Sequence, residues 1–444
     1  MRSLGDERRV VSRARQIPAP PTRATLAGAT APRVFWSGEG ESTVIGSGAA
    51  ATLTATGSDR FSEIRAAAER LFAEGDVHAG TEAARPRLFG GFTFHDDHDR
   101  GDDGPWSAFP SAQFVLPRRQ VTYTETGAWL TVNAVGPEST AGAVSDELDA
   151  TADALAGLSA PESVRPSTVV ERARTTTIDA WRESVTDTTE RIATGELQKV
   201  VLAMALEARL DGPLAAAEVT ARLADTYPDC YRFLLEPVDE REPQPAFIGA
   251  TPERLVTLRG RTLATGALAG TTGRGDTPAE DEWLADELRR DEKNVHEHEI
   301  VADAIREQLS PFAAAISTGD RDVRRLATVQ HLETPITATL ADDEHVLTLV
   351  EALHPTPAVG GLPPDRALAT IRETESFDRG WYAAPVGWFD AAGHGSFAVA
   401  LRSAVTAGDT ATLFAGVGIV EDSDPDAEWD EVQLKYRPML DELE

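Results

Sequence analysis

From residue 31 to 135 apolar and polar positions alternate in short runs: "PRVFWSG", "STVIGSG", "RLFGGFTFHDD", "SAQFVLPRRQVTYTET" and "GAWLTVNAVG". A period of two predicts strands with one face turned to a core. Among them "SDRFSEIRAAAERLFAEG" switches to helical spacing, opened by Ser58 or Asp59 and closed by Gly75, and "DELDATADALAGL" predicts a second helix. Residues 159–178, "SAPESVRPSTVVERARTTTI", lose the periodicity and are expected to be a linker. Beyond it, helix "IDAWRESVTDTTERIATGEL", strand "KVVLAMALEARL" and helix "PLAAAEVTARLADTY" follow, then strands through "YRFLLEP" and "PAFIGATPERLVTLRGRTLATGALAGT". One long helix is expected over about 280–309, then strands at "HVLTLVEAL", "APVGWFD", "GSFAVALRSAVT" and "ATLFAGVGIV", and a closing helix from Pro425. No repeat is visible. Many antiparallel-type strands with helices between them predict an α+β fold: large, mostly antiparallel sheets with helices on their outer faces. The expected organisation is a basic, Pro/Ala-rich lead-in over 1–30, loose or forming an early edge strand, a first part over 31–165 and a second over 175–442, packed as one compact unit.

Charge narrows the partners. A net charge of −31 argues against nucleic acid, which calls for a basic patch. The acidic excess is spread along the chain and reads as adaptation of the whole surface to high internal salt, as in a halophile. A single cysteine, Cys230, excludes an intramolecular disulfide or a cysteine metal cage and fits a reducing cytoplasm. "MRSLGDERRVVSRARQIPAPP" has arginines with no apolar stretch after them, unlike a secretory leader, and no run of residues is apolar enough to span a membrane. Of 42 basic residues only three are lysines: Lys199, Lys293 and Lys435.

Several polar residues fall where the pattern asks for apolar ones. Lys199 opens the apolar run Val200–Ala203, and lysine is seldom fully buried unless paired or working. In the closing helix, "SDPDAEWDEVQLKYRPML", Asp424 is the expected N-cap and Pro425 the first helical residue. Glu428, Glu431 and Lys435 then share a face with Val432. Two carboxylates on an inward face call for a cation between them, and oxygen-only ligands favour Mg²⁺; a solvated salt-bridge face is the alternative. In "RRDEKNVHEHEIVADAIREQL", Asn294, Glu297, Val301, Ala304 and Ile305 form one stripe, with Asp291, Glu299 and Arg306 free to face water. His296 and His298 flank Glu297, but residues two apart on a helix point differently, so zinc chelation by this pair is rejected. Glu253 and Arg402 interrupt strand-like runs, and "GALAGTTGRG" and "FAGVGIV" place glycines where backbone N–H groups could approach a ligand. His331 and His354 read as core or turn histidines, and "FHDDHDR" (94–100) as a charged loop.

Taken together, these stretches resemble the chorismate-utilising enzymes, and among them the isochorismate synthases. The resemblance covers about residues 175–442 and rests on "GELQKVVLA", "GATPERL", "LAGTTGRG", "EKNVHEHEIV", "QHLETP", "HPTPAVGG", "FDRGWYAAPVGWFD", "VALRSA", "AGVGIV" and "AEWDEVQLK", in the family's order. It implies Mg²⁺-dependent conversion of chorismate to isochorismate. Lys199 would be the base that activates water for attack at ring carbon 2, and Glu253 the acid that protonates the departing 4-hydroxyl. Glu297 and Glu431 would bind Mg²⁺, with Glu428 behind them and Lys435 nearby. Arg402 and Tyr382 would grip the pyruvyl carboxylate with help from backbone at Gly270, Thr271, Gly416 and Gly418, and His331 would lie near the ring. Burial favours the neutral, proton-accepting form of an amine, and arginine could not release a proton in its place. The ammonia-using relatives carry glutamine where Lys199 stands, so no glutaminase partner is expected. Ala358 stands where a hydroxylated residue accompanies pyruvate-lyase activity, which favours stopping at isochorismate over making salicylate. Asn294 departs from the Asp or Glu of many relatives. A chorismate-binding module without turnover would need neither Lys199 nor Glu253. The resemblance further implies a monomer serving menaquinone or siderophore synthesis.

Overall fold

The computed structural model describes residues 9–98, 104–137, 139–159, 167–239, 241 and 243–443. Its strands are joined by hydrogen bonds into one continuous system whose ladders are antiparallel, apart from the parallel pairing of Val10–Ile17 with Asp76–His78. The strand Ala112–Thr124 is the branch point. One arm runs from it through Val44–Ala55, Arg33–Ser37, Tyr231–Leu235, Ala246–Thr251, Ser403–Ala407 and Thr410–Ile419 to Lys199–Leu210. The other passes through Arg87–Phe92, Pro385–Asp390, Gly395–Val399, Arg254–Arg259 and Thr262–Gly273 to Val329–Leu340. Strands from before residue 135 therefore pair directly with strands from after residue 230 in both arms.

Two of the chain's passages between the arms are only a few residues long, and both fall on residues singled out above. Pro252 and Glu253 lie between Ala246–Thr251 of the first arm and Arg254–Arg259 of the second. Ala400–Arg402 lies between Gly395–Val399 of the second and Ser403–Ala407 of the first. The crossings are stitched together: the Val399 N–H donates to the Glu253 carbonyl (3.0 Å), the Thr251 hydroxyl to the Val399 carbonyl (2.6 Å) and the Ala250 N–H to the Arg402 carbonyl (3.2 Å). Arg402 has a φ of +47°, a left-handed conformation that is uncommon away from glycine. A polar residue inside an apolar run thus marks the place where a strand ends and its side chain is delivered to the space between the arms.

The core is apolar and aromatic, with Phe92, Phe114 and Phe389 in one run of ring contacts and Trp106, Phe247 and Trp381 in another. Helices cover the outside: Arg60–Phe72 on Val44–Ala55, Glu292–Leu309 on Thr262–Gly273, and Pro425–Leu443 on Thr410–Ile419. The expected α+β class, with large antiparallel sheets and helices packed outside them, is what the structure shows.

Four local expectations are overturned in whole or in part. The lead-in is not loose from residue 9 on but takes the strand alternative: Val10–Ile17 is a strand paired with Gly127–Val135, its Val10, Val11 and Ile17 buried, and Thr22–Ala27 is a helix; residues 1–8 lie outside the described residues. In the expected linker, residues 160–166 lie outside the described residues, while Val169–Arg174 is an edge strand paired with the end of Lys199–Leu210. "HVLTLVEAL" forms the helix Val346–Leu353, because its first turn is capped by His345, whose Nδ1 accepts the Leu347 N–H (3.1 Å), and its apolar residues are buried on several sides. The long helix is two, Pro278–Arg290 and Glu292–Leu309. Asp291 sits between them in extended conformation, and its carboxylate caps the second by accepting the Asn294 N–H (2.9 Å). In "FHDDHDR", Asp96 and Asp97 each approach Arg372 at 3.3 Å and His98 bonds Asp378, while residues 99 and 100 lie outside the described residues.

Candidate active site

One cavity opens between the arms and the two helices that close over them. Lys199, Glu253, Gly270, Thr271, Glu297, His331, Ala358, Tyr382, Arg402, Gly416, Gly418, Glu428, Glu431 and Lys435 all line it, so every residue to which the resemblance gives a role reaches the same space. The strand Lys199–Leu210 and its neighbour Thr410–Ile419 form one wall, paired so that Val201 faces Gly418 and Ala203 faces Gly416. Thr271 and His331, opposite each other on Thr262–Gly273 and Val329–Leu340, form another. The helices Glu292–Leu309 and Pro425–Leu443 supply the acidic side.

Lys199 is 1% exposed, and its Nζ stands 2.8 Å from Glu297 Oε1. Burial opposes ionisation of Glu297, yet the Lys199 ammonium outweighs it and holds the carboxyl below its ordinary range. Gly418 makes this pairing possible. A Cβ there would lie 2.5 Å from Glu297 Oε1 and 2.8 Å from Lys199 Cε, closer than atoms can approach. Two more pairs follow on the helices. Lys293 Nζ donates to Glu428 Oε1 at 3.0 Å, and Lys435 Nζ stands 2.7 Å from Glu431 Oε1 while donating to the Gly416 carbonyl at 3.0 Å. Burial pushes the Glu428 carboxyl up, against the pull of Lys293. Each of the chain's three lysines thus holds one of the four cavity glutamates, and Glu253 is the one left over.

Glu253 is buried, and among the described residues it has no ion-pair partner of its own. Burial raises its pKa to about 7, although Lys199, Lys435 and Arg402 work against the rise. At neutral pH a good share of it is protonated and able to donate. Arg402 is buried as well, and its Nη2 donates to His331 Nε2 at 2.6 Å. An acceptor at Nε2 requires the proton on Nδ1, where it meets the Thr271 hydroxyl at 3.1 Å. Burial and the neighbouring Arg402 hold His331 well below its ordinary range, so it is a neutral relay and not an acid. Tyr382 is buried with its phenol pushed up by burial, and its hydroxyl lies 3.2 Å from where a Cβ on Gly416 would stand.

Several contacts were not foreseen from the sequence. Asn294, noted only as a departure from the pattern, accepts the Thr271 N–H through its Oδ1 (3.1 Å) and donates to the Asp291 carboxylate (2.6 Å), tying a helix start to the cavity wall. Gly270 beside it takes a φ of +76° with Asn294 atoms 3.2 Å from the position of a Cβ. The buried pair Glu375–Arg379 staples the lysine strand in place: Arg379 donates to the carbonyls of Val201 (2.8 Å) and Val359 (2.9 Å), and Glu375 accepts the Ala203 N–H (2.8 Å). The "FDRGW" motif contained the arginine, but nothing local told its partner. His298 is buried and held by Thr334 (2.7 Å), whereas His296 is exposed.

The description "chorismate binding enzyme" fits a family model over residues 3–444. The chain belongs to this family. It is 38% identical over 426 residues to isochorismate synthase MenF of Bacillus subtilis, spanning 93% of this chain and 88% of that protein. It is likewise 38% identical over 423 residues to the salicylate biosynthesis isochorismate synthase of Pseudomonas aeruginosa, spanning 93% and 85%. Among solved structures, the menaquinone-specific isochorismate synthase MenF of Escherichia coli superposes with a TM-score of 0.81 at 27% identity, covering 98% of this chain and 96% of that one.

Glu297, Glu428 and Glu431 supply the oxygen ligands that a hard divalent cation prefers, and the bare Gly418 leaves space around the Glu297 carboxylate. The donor chemistry fits Mg²⁺. As they stand, no three acidic or histidine side chains among the described residues converge on a single point, because each glutamate is turned to its lysine.

Proposed function

We infer that the protein is an isochorismate synthase, an isomerase that moves the hydroxyl of chorismate from ring carbon 4 to carbon 2. The observation that carries this reading is the combination, in one cavity, of a buried amine at Lys199 and a buried carboxyl at Glu253 whose pKa of about 7 leaves it able to give up a proton. Water is a poor nucleophile and hydroxide a poor leaving group, so the exchange needs a base and an acid. Lys199 takes a proton from water as its oxygen bonds to carbon 2. The double bond shifts, the bond from carbon 4 to its hydroxyl breaks, and Glu253 protonates the departing oxygen. Arg402, held by neutral His331, and the Tyr382 hydroxyl bind the pyruvyl carboxylate, with backbone N–H groups at Gly270, Thr271, Gly416 and Gly418 filling its remaining acceptor positions. Glu297 and Glu431 hold Mg²⁺ with Glu428 behind them, and the ion when bound supplies positive charge for the ring carboxylate. An ammonium has no lone pair to offer, so the base role requires the neutral amine of Lys199, which can keep one N–H on Glu297 while its lone pair faces water.

Menaquinone and siderophore synthesis both consume isochorismate, and the relatives include a menaquinone-specific and a salicylate-biosynthesis isochorismate synthase. Ala358 favours release of isochorismate over elimination of pyruvate. The acidic, lysine-poor surface supports a soluble enzyme of a salt-rich cytoplasm, acting as a monomer without a glutaminase partner.

The test is to incubate purified protein with chorismate and Mg²⁺ in molar KCl without ammonia and to resolve the products. An equilibrating mixture of chorismate and isochorismate is expected. Salicylate with pyruvate would make it a lyase, and turnover that appears only with ammonia would place it in the aminating branch. Glu431→Ala should lose both activity and Mg²⁺ dependence.

A further inference from the structure

The three lysines raise a question that the reaction does not answer. Lys199 has a role as base, and Lys435 is anchored on the Gly416 carbonyl beside the substrate space. Lys293 has neither. It is the second residue of the helix Glu292–Leu309, where the helix dipole disfavours a cation, yet it reaches across to the closing helix to hold Glu428, whose side chain is only 4% exposed. The chain uses arginine nearly everywhere else, and an arginine here would grip both carboxylate oxygens. A lysine grips one and lets go more readily.

The charges in the cavity explain why letting go matters. Three ammoniums are paired with three carboxylates at 2.7–3.0 Å, so Glu297, Glu428 and Glu431 are each engaged by a lysine. A divalent ion can gather them only by displacing lysines. We propose that Lys293 is the determinant of divalent-cation affinity: it neutralises Glu428 in the cation-free site and must release it before the ion is held. This rests on the reading that Mg²⁺ binds among Glu297, Glu428 and Glu431. Lys293 acts on the ion, not on the reacting atoms, so its effect is on cation binding before any substrate arrives.

The measurement is calorimetric titration of the full-length protein with Mg²⁺ alone, repeated with Mn²⁺, in molar KCl at alkaline pH. Removing one positive charge from the neighbourhood of a doubly charged ion should tighten binding, so Lys293→Met is expected to lower Kd about tenfold, and Lys293→Arg to raise it. Equal or weaker binding by Lys293→Met overturns the inference and leaves the magnesium reading intact. Absence of binding to the wild-type protein overturns the magnesium reading and the inference with it. A second measurement needs no variant. With only three lysines in the chain, amine-directed labelling followed by mass spectrometry reports on each separately. Lys293, whose side chain is 34% exposed, should label faster once Mg²⁺ has taken Glu428 from it. An unchanged or slower rate overturns the proposal even if Lys293→Met fails to fold.

Discussion

The chemistry proposed for this protein rests on residues that would be errors in an ordinary core. A lysine at 1% exposure and a carboxyl at 5% each cost free energy to bury, and that cost is tolerable only where the groups work. Lys199→Ala and Glu253→Gln should each lower kcat by about 10²–10⁴-fold, the usual contribution of a general acid or base, while circular dichroism and melting temperature stay near wild type. Near-normal rates in either would remove the assigned roles. The protonation state of Glu253 gives a second expectation. Its folded pKa of about 7 lies above the ordinary carboxyl value, so the acid form is present below pH 7 and lost above it. The profile of kcat/KM should therefore fall on its alkaline side from about pH 7, and a profile flat to pH 9 would exclude Glu253 as the proton donor. These residues could be found in the sequence because a lone charge in an apolar run is conspicuous. Lys293 and Asn294 were harder to place. Their partners, Glu428 and Thr271, sit on other elements, and no local pattern says which elements will meet.

At the scale of elements, what the sequence showed depended on how strongly each segment was patterned. The strands at 33–37, 112–124 and 199–210 alternate or run apolar, and they stand where the pattern puts them. Val169–Arg174 was read as linker because it is an edge strand whose side chains are mostly exposed, leaving no apolar face to detect. Residues 346–353 were read as strand because Leu and Val on several sides of a buried helix look like a buried strand. The break at Asp291 hid inside a continuous helical pattern, since a capping aspartate costs the pattern nothing. The elements that carry Lys199 and Ala358 are held together by Arg379 and Glu375, both nearly fully buried. Removing one member leaves an unpaired buried charge, so Arg379→Ala should destabilise the protein by about 3–5 kcal/mol in urea unfolding. A loss below about 1 kcal/mol would show that the staple is dispensable. Replacing both members by apolar residues should recover much of that loss, because no charge is then stranded.

For the molecule as a whole, the fold class followed from the balance of strands and helices, but the joining of its two halves did not. Long-range pairing is set by register and partner choice, which a single sequence does not display. Net charge acts at this scale too. At −31 the folded chain repels itself, and salt shortens the range of that repulsion from about 10 Å at 0.1 M to about 3 Å at 1 M. The midpoint of thermal unfolding should therefore rise steadily from dilute buffer to molar KCl, with activity rising alongside. Full activity and stability in dilute buffer would refute adaptation to salt.

The pairing of early strands with late ones also dictates how the chain must be born. Arg87–Phe92 finds one of its neighbours in Pro385–Asp390, roughly 300 residues further on. A ribosome adding about 5–20 residues per second takes some 15–60 s to deliver that partner. For that interval the nascent first half carries apolar strand edges with nothing to close them. Arg33–Ser37 waits in the same way for Tyr231–Leu235. Folding of this enzyme is therefore completed after synthesis, and a messenger truncated near its middle would yield a chain that chaperones hold or proteases clear.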